Sequence, residues 1–343
     1  MNPTPPWTWQ ALTLQLRTPF RVSYGVSETR QAFWLRLAGD AGWGESAIPP
    51  YYGISDEAII AFWAQAAAQT RPWPQDLPEI ADWVGQAGPA PARCALDLAL
   101  HDRLARRRGL PLHRLLDAPP PAQDMPTSFT ISLDTPAEMA RLAAKAAAFL
   151  VLKIKLGGEE DEACVEAVRR ARPDARLRID ANAAWTPEEA ARHVDRLARF
   201  DLELIEQPVA KEDISGMGFV QARSPIPIVA DESLQSLADL ERLAAVGVGG
   251  INLKLMKVGG LAPGLAILRR ARALGLKVML GCMIETSLGV TAAAQLSGLA
   301  DWIDLDAPLL ITNDPFAGVR FDAQGRMRVP LDPGIGVTLR HTS

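Results

Sequence analysis

Residues 176–206, RLRIDANAAWTPEEAARHVDRLARFDLELIE, contain two short apolar runs separated by an amphipathic segment. The runs RLRID (176–180) and LELIE (202–206) have the length and apolar content of buried strands. The segment between them has an alanine-rich helical pattern, and Thr186 and Glu189 have the spacing of a capping box at its start. A strand, a helix and a second strand in this order predict two parallel strands joined by a helical crossover.

The same unit recurs along most of the chain. Apolar runs follow one another about every 22–27 residues: SFTIS (128–132), LVLKIK (150–155), RLRID (176–180), LELIE (202–206), PIVAD (227–231), GINLK (250–254), KVMLG (277–281) and WIDLD (302–306). Eight such strands with helices between most of them predict an α/β barrel of the TIM type. A doubly wound open sheet is the alternative, but no G-x-G-x-x-G sequence follows the first strands.

The residues before the barrel have a different character. The segment FWLRLAGDAGWGES (33–46) predicts two strands around a Gly/Asp turn. The segment ARCALDLALHDRLARRRG (92–109) predicts a helix with an apolar stripe and a glycine stop. The proline-rich segment APPPAQDMP (118–126) is typical of a linker. Residues 1–120 are therefore predicted to form a small α+β domain.

Composition argues against several kinds of partner. The net charge is −4 and the pI is near 5.7, and no basic patch stands out, so a nucleic-acid partner is not expected. Three widely spaced cysteines fit neither a disulfide framework nor a zinc motif, which favours a reducing compartment. The start of the chain lacks a signal-peptide pattern, and no apolar run approaches 18 residues. We therefore expect a cytoplasmic protein without a membrane partner.

Charged residues stand at the carboxyl ends of the predicted strands, where barrel enzymes build their active sites. These residues are Lys153, Lys155, Asp180, Glu206, Asp231, Lys254, Asp304 and Asp306. One such charge in an apolar strand is more simply explained by a structural ion pair. Charges in register on several strands predict a common site instead.

Three of these charges predict a metal site. Asp180, Glu206 and Asp231 come from three neighbouring strands, and oxygen ligands without histidine or cysteine suit a hard cation, Mg²⁺ before Mn²⁺. Asn182 and Glu232 stand beside them and can orient the ligands. The alternative is that the three carboxylates are simply paired with lysines.

Two of the lysines predict proton transfer. Lys155 and Lys254 lie on the second and sixth predicted strands, on opposite sides of a barrel of eight. A lysine in a dry site beside cations can have its pKa lowered to about 7–8, where it serves as a base. Two lysines on opposite faces of one carbon can remove a proton and return it with inversion, which is the geometry of a racemase or epimerase. The metal would hold the carboxylate beside that carbon.

Asp304 and Asp306 are two residues apart in the last predicted strand, so their carboxylates share one face and need a cation between them. The barrel backbone forms a ring roughly 15 Å across, too wide for one free amino acid to reach both the metal and these aspartates. A second residue adds about 3.8 Å. A dipeptide can therefore place its carboxylate on Mg²⁺ and its ammonium on the aspartates. An ion pair with local lysines or arginines is the alternative.

Six segments of the chain, in their order and spacing, resemble the muconate-lactonizing-enzyme subgroup of the enolase superfamily. They are LKIKLG, RIDAN, LIEQP, VADES, NLKLMKVGG and GCMIETSLG. The resemblance implies a modified TIM barrel, (β/α)7β, over residues 126–317. It also implies an N-terminal α+β capping domain over 1–120, completed by the tail 318–343. One Mg²⁺ per subunit would bind the three carboxylates, and the two lysines would form the acid/base pair. Enzymes of this superfamily use a lysine or histidine base with Mg²⁺ on an enediolate.

Within that subgroup, DLDAPL (304–309) resembles the dipeptide epimerases, including L-Ala-D/L-Glu epimerase. The resemblance implies that Asp304 and Asp306 bind the substrate ammonium and that Lys153 assists the charge of the enediolate. It also implies four residues that line the substrate: Thr130, Cys282, Met283 and Ile284. The expected function is inversion of the C-terminal α-carbon of Ala-Glu-like or more hydrophobic dipeptides.

The early loop departs from the Ala-Glu epimerases, which carry an arginine there for the glutamate side chain. Alignment of RTPFRVSYGVSETR (17–30) places Gly25 at that position, and neither Arg21 nor Arg30 aligns with it. Ile284 offers no acidic group for a cationic side chain. We therefore expect a more apolar pocket without strict glutamate specificity, lined by Tyr24, Tyr51, Tyr52 and Ile54.

Two other functions stay open. The o-succinylbenzoate synthases, N-acylamino acid racemases and cycloisomerases of the same subgroup act on substrates without a free ammonium, which would leave Asp304 and Asp306 idle. A non-catalytic binding protein is the remoter alternative, and the intact lysines and carboxylates count against it. Enzymes of this family often form homo-oligomers, which is the expected assembly.

Overall fold

The computed structural model describes residues 6–23, 25–69 and 71–340. Its N-terminal part is an antiparallel sheet followed by helices, as predicted. The elements are β1 (Trp7–Val22), β2 (Gly25–Leu37), β3 (Trp43–Ala47), α1 (Asp56–Ala67), α2 (Leu77–Val84), α3 (Ala90–Arg108) and α4 (Leu112–Leu115), with 3₁₀ turns at Ala38–Asp40 and Pro50–Tyr52. Strand β2 lies in the middle of the sheet, between β1 and β3.

A barrel of eight parallel strands follows, and each strand pairs with the next in chain order. Its elements are β4 (Phe129–Ile131), α5 (Pro136–Lys145), β5 (Val151–Lys155), α6 (Asp161–Ala171), β6 (Arg176–Asp180), α7 (Pro187–Leu197), β7 (Leu202–Glu206), α8 (Ile214–Gln221), β8 (Ile228–Ala230), α9 (Leu237–Ala245), β9 (Gly250–Leu253), α10 (Leu255–Val258), α11 (Leu261–Ala273), β10 (Lys277–Gly281), α12 (Ser287–Ala294) and β11 (Trp302–Asp304), with 3₁₀ turns at Ala198–Phe200 and Ser297–Leu299. Each predicted apolar run contains one of these strands. A parallel bridge between Thr127 and Ile303 joins the first and last strands. The predicted (β/α)7β barrel is confirmed.

The chain then returns to the N-terminal part. The last elements are α13 (Ala307–Leu310), β12 (Phe316–Ala317), β13 (Arg320–Phe321), β14 (Met327–Arg328) and β15 (Thr338–Leu339). The N–H of Ile335 donates to Asp102 of α3 over 2.8 Å, and the ring of Phe316 packs edge-on against Trp34 at 5.1 Å. Ile335 belongs to the predicted tail 318–343, whereas Phe316 precedes it, and the completion of the capping domain by this tail stays a prediction. The predicted domain limits at 120, 126 and 317 stay a prediction.

Helix α3 holds the two parts of the molecule together. It is buried along most of its length, with β3 on one side and the barrel helices α10 and α11 on the other. The approach of β3 is very close, because a Cβ on Gly44 would lie 1.8 Å from the carbonyl oxygen of Ala95 in α3. Only glycine fits at this position.

Gly44→Ala is therefore expected to destabilise the fold by about 1–3 kcal/mol, since the sheet must move away from α3 to make room for a methyl group. Gly158→Ala is the matched control, because its Cβ would meet ordinary contacts, the nearest at 3.6 Å. Thermal or urea unfolding measures both. Equal stability of the two variants would contradict the close packing of β3 on α3.

A second link joins β3 to the barrel. The buried carboxylate of Glu45 accepts hydrogen bonds from the N–H of Thr286 over 2.8 Å, from the hydroxyl of Thr286 over 2.6 Å and from the N–H of Gly289 over 2.8 Å. Thr286 is the N-cap of α12, and a carboxylate there satisfies N–H groups that the first helical turn leaves open. Burial raises the pKa of Glu45 to about 7. The strand is thereby fixed to the loop that follows β10.

The β1–β2 hairpin lies over the carboxyl ends of the barrel strands. The hydroxyl of Ser23 donates to the carbonyl oxygen of Asn182 over 2.9 Å, and the N–H of Leu133 donates to the carbonyl oxygen of Arg21 over 3.2 Å. The hairpin therefore covers the end of the barrel where the charged residues were predicted to meet. Among the described residues, no helix is long and apolar enough to cross a membrane.

Candidate active site

The charged residues at the strand ends do come together. Lys155 is the register partner of Asp180, and Asp180 is the partner of Glu206, so β5, β6 and β7 present these groups at one level of the barrel. Asp231 and Lys254 follow directly after β8 and β9. All five side chains are buried. The expected convergence at the carboxyl end of the barrel is confirmed in its geometry.

The three predicted metal ligands form a compact cluster. Asp180, Glu206 and Asp231 each offer a carboxylate oxygen, and these oxygens all lie within 4.8 Å of one another. Burial and then the charge of Asp180 raise the pKa of Glu206 to about 8, which shows how poorly this cluster tolerates a further negative charge. Its buried Oε2 atom lies 2.6 Å from Lys153 Nζ and has no hydrogen-bond partner among the described residues. A buried donor set made of carboxylate oxygens alone fits a hard divalent cation.

Other polar groups hold these carboxylates in place. The amide of Asn252 donates to Glu206 over 2.8 Å, and Lys257 lies 2.5 Å from an oxygen of Asp231. The side-chain oxygen of Gln207 accepts the N–H of Asp231 over 2.9 Å. The sequence interpretation missed these three residues. Asn252 had a usable signal, because it lies two positions before Lys254 and thus on the same face of the strand.

Backbone strain marks two of the strand ends. Asn182 and Gln207 adopt positive φ angles of 44° and 34°, a region that non-glycine residues seldom occupy and that clusters at functional sites. Asn182 uses this conformation to donate its N–H to Asp180 over 2.9 Å and its amide to Glu232 over 3.0 Å. The predicted orienting role of Asn182 and Glu232 agrees with these contacts.

The two proposed acid/base lysines approach the carboxylate cluster from opposite strands. Lys155 Nζ lies 2.6 Å from Asp180, and Lys254 Nζ lies 2.6 Å from Asp231. Burial lowers the pKa of Lys254, but the charges of Asp231 and Glu206 outweigh it, and the pKa lies well above its usual value. For Lys254, the lowered pKa that the sequence analysis expected is therefore not found among these carboxylates alone. A divalent cation in the cluster would offset their charge.

Lys153 lies at the centre of the acidic groups. Its ammonium is 2.6 Å from Glu206, 2.7 Å from Asp304 and 3.0 Å from Asp180. Burial lowers its pKa, but these carboxylates raise it further, so the pKa lies well above its usual value. Lys153 therefore stays charged in this environment.

The two predicted aspartates differ in position and in their partners. Asp304 ends β11, whereas Asp306 lies beyond the strand as the residue before α13, so the prediction that one strand carries both was wrong. One oxygen of Asp304 pairs with Lys153, so the alternative of a local ion pair holds for that oxygen. The other, Oδ1, is buried and has no hydrogen-bond partner in the part of the chain that the structure describes. Asp306 accepts the N–H of Thr130 over 2.8 Å. Burial and then the charge of Asp304 raise the pKa of Asp306 to about 6. The pair retains capacity for a further cation.

One cavity joins most of the predicted residues. Its walls contain the two lysines predicted to be the acid/base pair, Lys153, both aspartates and the four predicted substrate residues Thr130, Cys282, Met283 and Ile284. The capping domain contributes Phe20, Val22, Arg30, Pro49 and Tyr51. Tyr52 lines a neighbouring cavity, and Ile54 packs against the core. The predicted Tyr24 lies outside the described residues.

Known proteins resemble this chain over most of its length. Residues 137–343 match the family model for the enolase C-terminal domain-like fold. The L-Ala-D/L-Glu epimerase of Bacteroides thetaiotaomicron is 36% identical over 88% of this chain and 79% of its own. The hydrophobic dipeptide epimerase of Enterococcus faecalis is 33% identical over 96% and 98%. A dipeptide epimerase structure from Cytophaga hutchinsonii, complexed with Mg and D-Ala-L-Val, has a TM-score of 0.91 at 27% identity, covering 98% and 96% of the two chains.

The chain belongs to the enolase superfamily, in which a (β/α)7β barrel and an α+β cap enclose the site. The resemblance found in the sequence motifs is thereby confirmed. The relatives include L-Ala-D/L-Glu epimerases, L-Ala-D/L-amino acid epimerases and hydrophobic dipeptide epimerases.

Proposed function

We propose that this protein is a Mg²⁺-dependent dipeptide epimerase that inverts the α-carbon of the C-terminal residue. The observation that carries the proposal is one cavity lined by Lys155 and Lys254 from opposite sides of the barrel and by an aspartate pair. A buried three-carboxylate cluster adjoins it, because these lysines contact Asp180 and Asp231. Relatives named as dipeptide epimerases support the same assignment, and so does the solved dipeptide epimerase complex with Mg. The protein is accordingly an isomerase.

In this proposal Asp180, Glu206 and Asp231 hold Mg²⁺, which supplies positive charge beside the substrate carboxylate. Lys155 and Lys254 take and return the α-proton on opposite faces of the carbon. Lys153, charged among its carboxylates, stabilises the negative charge that develops on the carboxylate oxygens as the proton leaves.

The other end of the dipeptide lies against the last strand. Asp304 and Asp306 receive the ammonium, and the N–H of Thr130 orients Asp306. Cys282, Met283 and Ile284 form the wall between the two ends. A free amino acid carries its ammonium on the reacting carbon, so it cannot reach the aspartates while its carboxylate is at the metal. A dipeptide has one more residue between the ammonium and the reacting carbon, so the proposed substrate is a dipeptide.

Proton NMR in D₂O with Mg²⁺ and a panel of L,L-dipeptides tests the proposal. Loss of the C-terminal α-proton signal, with growth of the L,D diastereomer, is the expected result. Exchange on N-acyl amino acids with none on dipeptides would move the assignment to the racemase and synthase branch of the subgroup. Failure of Mg²⁺ to bind, measured by calorimetry, would favour a non-catalytic role.

Asp306→Asn is expected to lower kcat/KM for dipeptides with a free amine by about 10–100-fold, because a charge-assisted hydrogen bond to a buried group contributes about 1.5–3 kcal/mol. The N-acetylated dipeptide, which has no ammonium, should lose little. Asp332→Asn, at an exposed aspartate, is the matched control. Equal loss on both substrates would contradict the ammonium-binding role of Asp306.

We also propose a cytoplasmic location, supported by three cysteines that are all free thiols. Nucleic acid is not proposed as a partner, because the chain has a net charge of −4. A homo-oligomer is proposed for the assembly, and size-exclusion chromatography with light scattering measures it.

A further inference from the structure

A second cavity lies between the helices of the cap and those of the barrel. Its volume is about 490 Å³, and it shares no lining residue with the cavity of the candidate active site. The end of α2 and the start of α3 form one wall, and the end of α10 with the starts of α9 and α11 forms the other. The volume lies within the range of about 300–1,000 Å³ that is typical of small-molecule sites.

Arg93 of α3 brings a positive charge to this cavity without a partner for it. Its side chain is half-buried, and its Nε atom is buried. The guanidinium forms no hydrogen bond and no ion pair with any of the described residues. Buried polar groups are nearly always hydrogen-bonded, so an open N–H group of this kind favours a ligand that can accept from it.

The backbone between α10 and α11 fixes the place of the guanidinium. A Cβ on Gly259 would lie 2.7 Å from Nη1 and 3.1 Å from Nη2 of Arg93, so the guanidinium lies directly against this glycine, which is itself part of the cavity wall. Helix α11 begins two residues later, at Leu261. The positive end of its dipole adds to the charge of the arginine.

The one carboxylate among the described lining residues already has other partners. Asp97 stands one helical turn after Arg93 but forms no ion pair with it. Its Oδ1 atom accepts the N–H of Leu261 over 2.5 Å and lies 3.3 Å from Nδ1 of the buried His101. Arg93 therefore stays open to another anion, and the charge of Asp97 favours an anion with a single negative charge.

Much of the remaining wall is apolar. Val84 of α2, Leu237 of α9, Val258 of α10 and Ile267 of α11 all line the cavity. Leu237 is 45% exposed, which is unusual for a leucine beside a cavity and leaves apolar surface for a ligand to cover. An organic anion with an apolar body matches both the guanidinium and these side chains. A phosphate ion has no apolar part and carries more charge beside Asp97.

We propose that this cavity binds a small organic acid, with its carboxylate on Arg93 and its apolar body between α9 and α11. The planar guanidinium can donate two parallel hydrogen bonds to a carboxylate, which is the geometry that arginine favours. Such a ligand would contact the cap through α2 and α3 and the barrel through α9, α10 and α11. The site is separate from the proposed reaction, and its occupancy does not depend on the epimerase assignment.

The test is a fluorine NMR titration of the full chain in Mg²⁺ with 4-fluorobenzoate and 4-fluorobenzamide, which have nearly the same shape and differ in charge. We expect the Kd of the benzoate to be about 10–100-fold lower, as for a hydrogen bond between charged groups. Arg93→Met should raise it to that of the benzamide. Arg107→Met is the matched control, because Arg107 is exposed on the same helix and outside the cavity, and its Kd should equal that of the wild type.

A second variant tests the cavity without changing the arginine. Ala266 is exposed on α11 and lines the cavity, so Ala266→Trp should fill it and weaken binding of both compounds. Ala273→Trp, exposed on the same helix but outside the cavity, should bind as the wild type does. Equal Kd values for the two compounds in the wild type would overturn the proposal. A preference for the benzoate that persists in Arg93→Met or in Ala266→Trp would place its carboxylate elsewhere, such as at the metal cluster, and would also overturn it.

Discussion

Lys155→Ala and Lys254→Ala are each expected to lower the rate of dipeptide epimerisation by about 10²–10⁴-fold, the range that a positioned acid or base contributes. Inversion needs one group to remove the α-proton and another to return it on the opposite face. Each ammonium lies in the cavity, 2.6 Å from a carboxylate of the proposed metal cluster. Loss of either lysine therefore stops inversion while the metal site and the aspartate pair stay in place.

Lys155→Ala and Lys254→Ala should differ in the substrate diastereomer whose α-proton they still exchange. Each retains one lysine, so each should exchange the α-proton of one diastereomer with D₂O, and the two variants should prefer opposite diastereomers. Lys277→Ala is the matched control, because Lys277 lies at the amino end of β10 with an exposed side chain. Epimerisation at the wild-type rate in either active-site variant would contradict the two-lysine assignment.

Glu206→Gln is expected to remove the response to Mg²⁺ and to lower activity by about 10²–10⁴-fold, because a bound metal contributes several kcal/mol of charge stabilisation. Glu206 is fully buried, and its Oε2 atom lies 2.6 Å from Lys153 Nζ within the carboxylate cluster. An amide leaves one ligand fewer and introduces a donor where an acceptor is needed.

A binding measurement separates this effect from a catalytic one. Mg²⁺ at 100 times its Kd should stabilise the wild type by about 2.7 kcal/mol, and chelation by EDTA should reverse the shift in Tm. Glu206→Gln should show no shift. Glu241→Gln, at an exposed glutamate paired with Arg270, should behave as the wild type. A full Mg²⁺ shift in Glu206→Gln would rule out Glu206 as a ligand.

The barrel was predictable because its signal is local. Short apolar strands and amphipathic helices alternate in the chain, and the capping box at Thr186 and Glu189 is present as predicted. The register of the barrel strands also follows from local patterns, because a parallel sheet places the carboxyl ends of its strands at one level. Lys155, Asp180 and Glu206 therefore lie side by side. In this fold, a charged residue at the end of an apolar run therefore indicates a position at the carboxyl end of the barrel, where the candidate site lies.

The rest of the site depends on contacts between distant segments. Lys257 reaches Asp231 from α10, beyond the end of the strand that the apolar pattern marks. Lys153 meets carboxylates of three different strands, which no single run reveals. Arg30 reaches the cavity only because the hairpin lies over the barrel. The position of one domain on another has no periodic signature in the sequence.

The hydrogen bonds of Glu45 have a consequence for protein engineering. This residue of the cap binds the backbone of Thr286 and Gly289, just after the barrel loop that carries Met283 and Ile284. A hybrid enzyme that takes its cap from one relative and its barrel from another would have to transfer Glu45 and Thr286 as a unit. A recombination point between β2 and β3 would keep the anchor with the recipient barrel and exchange only the hairpin that carries Arg30.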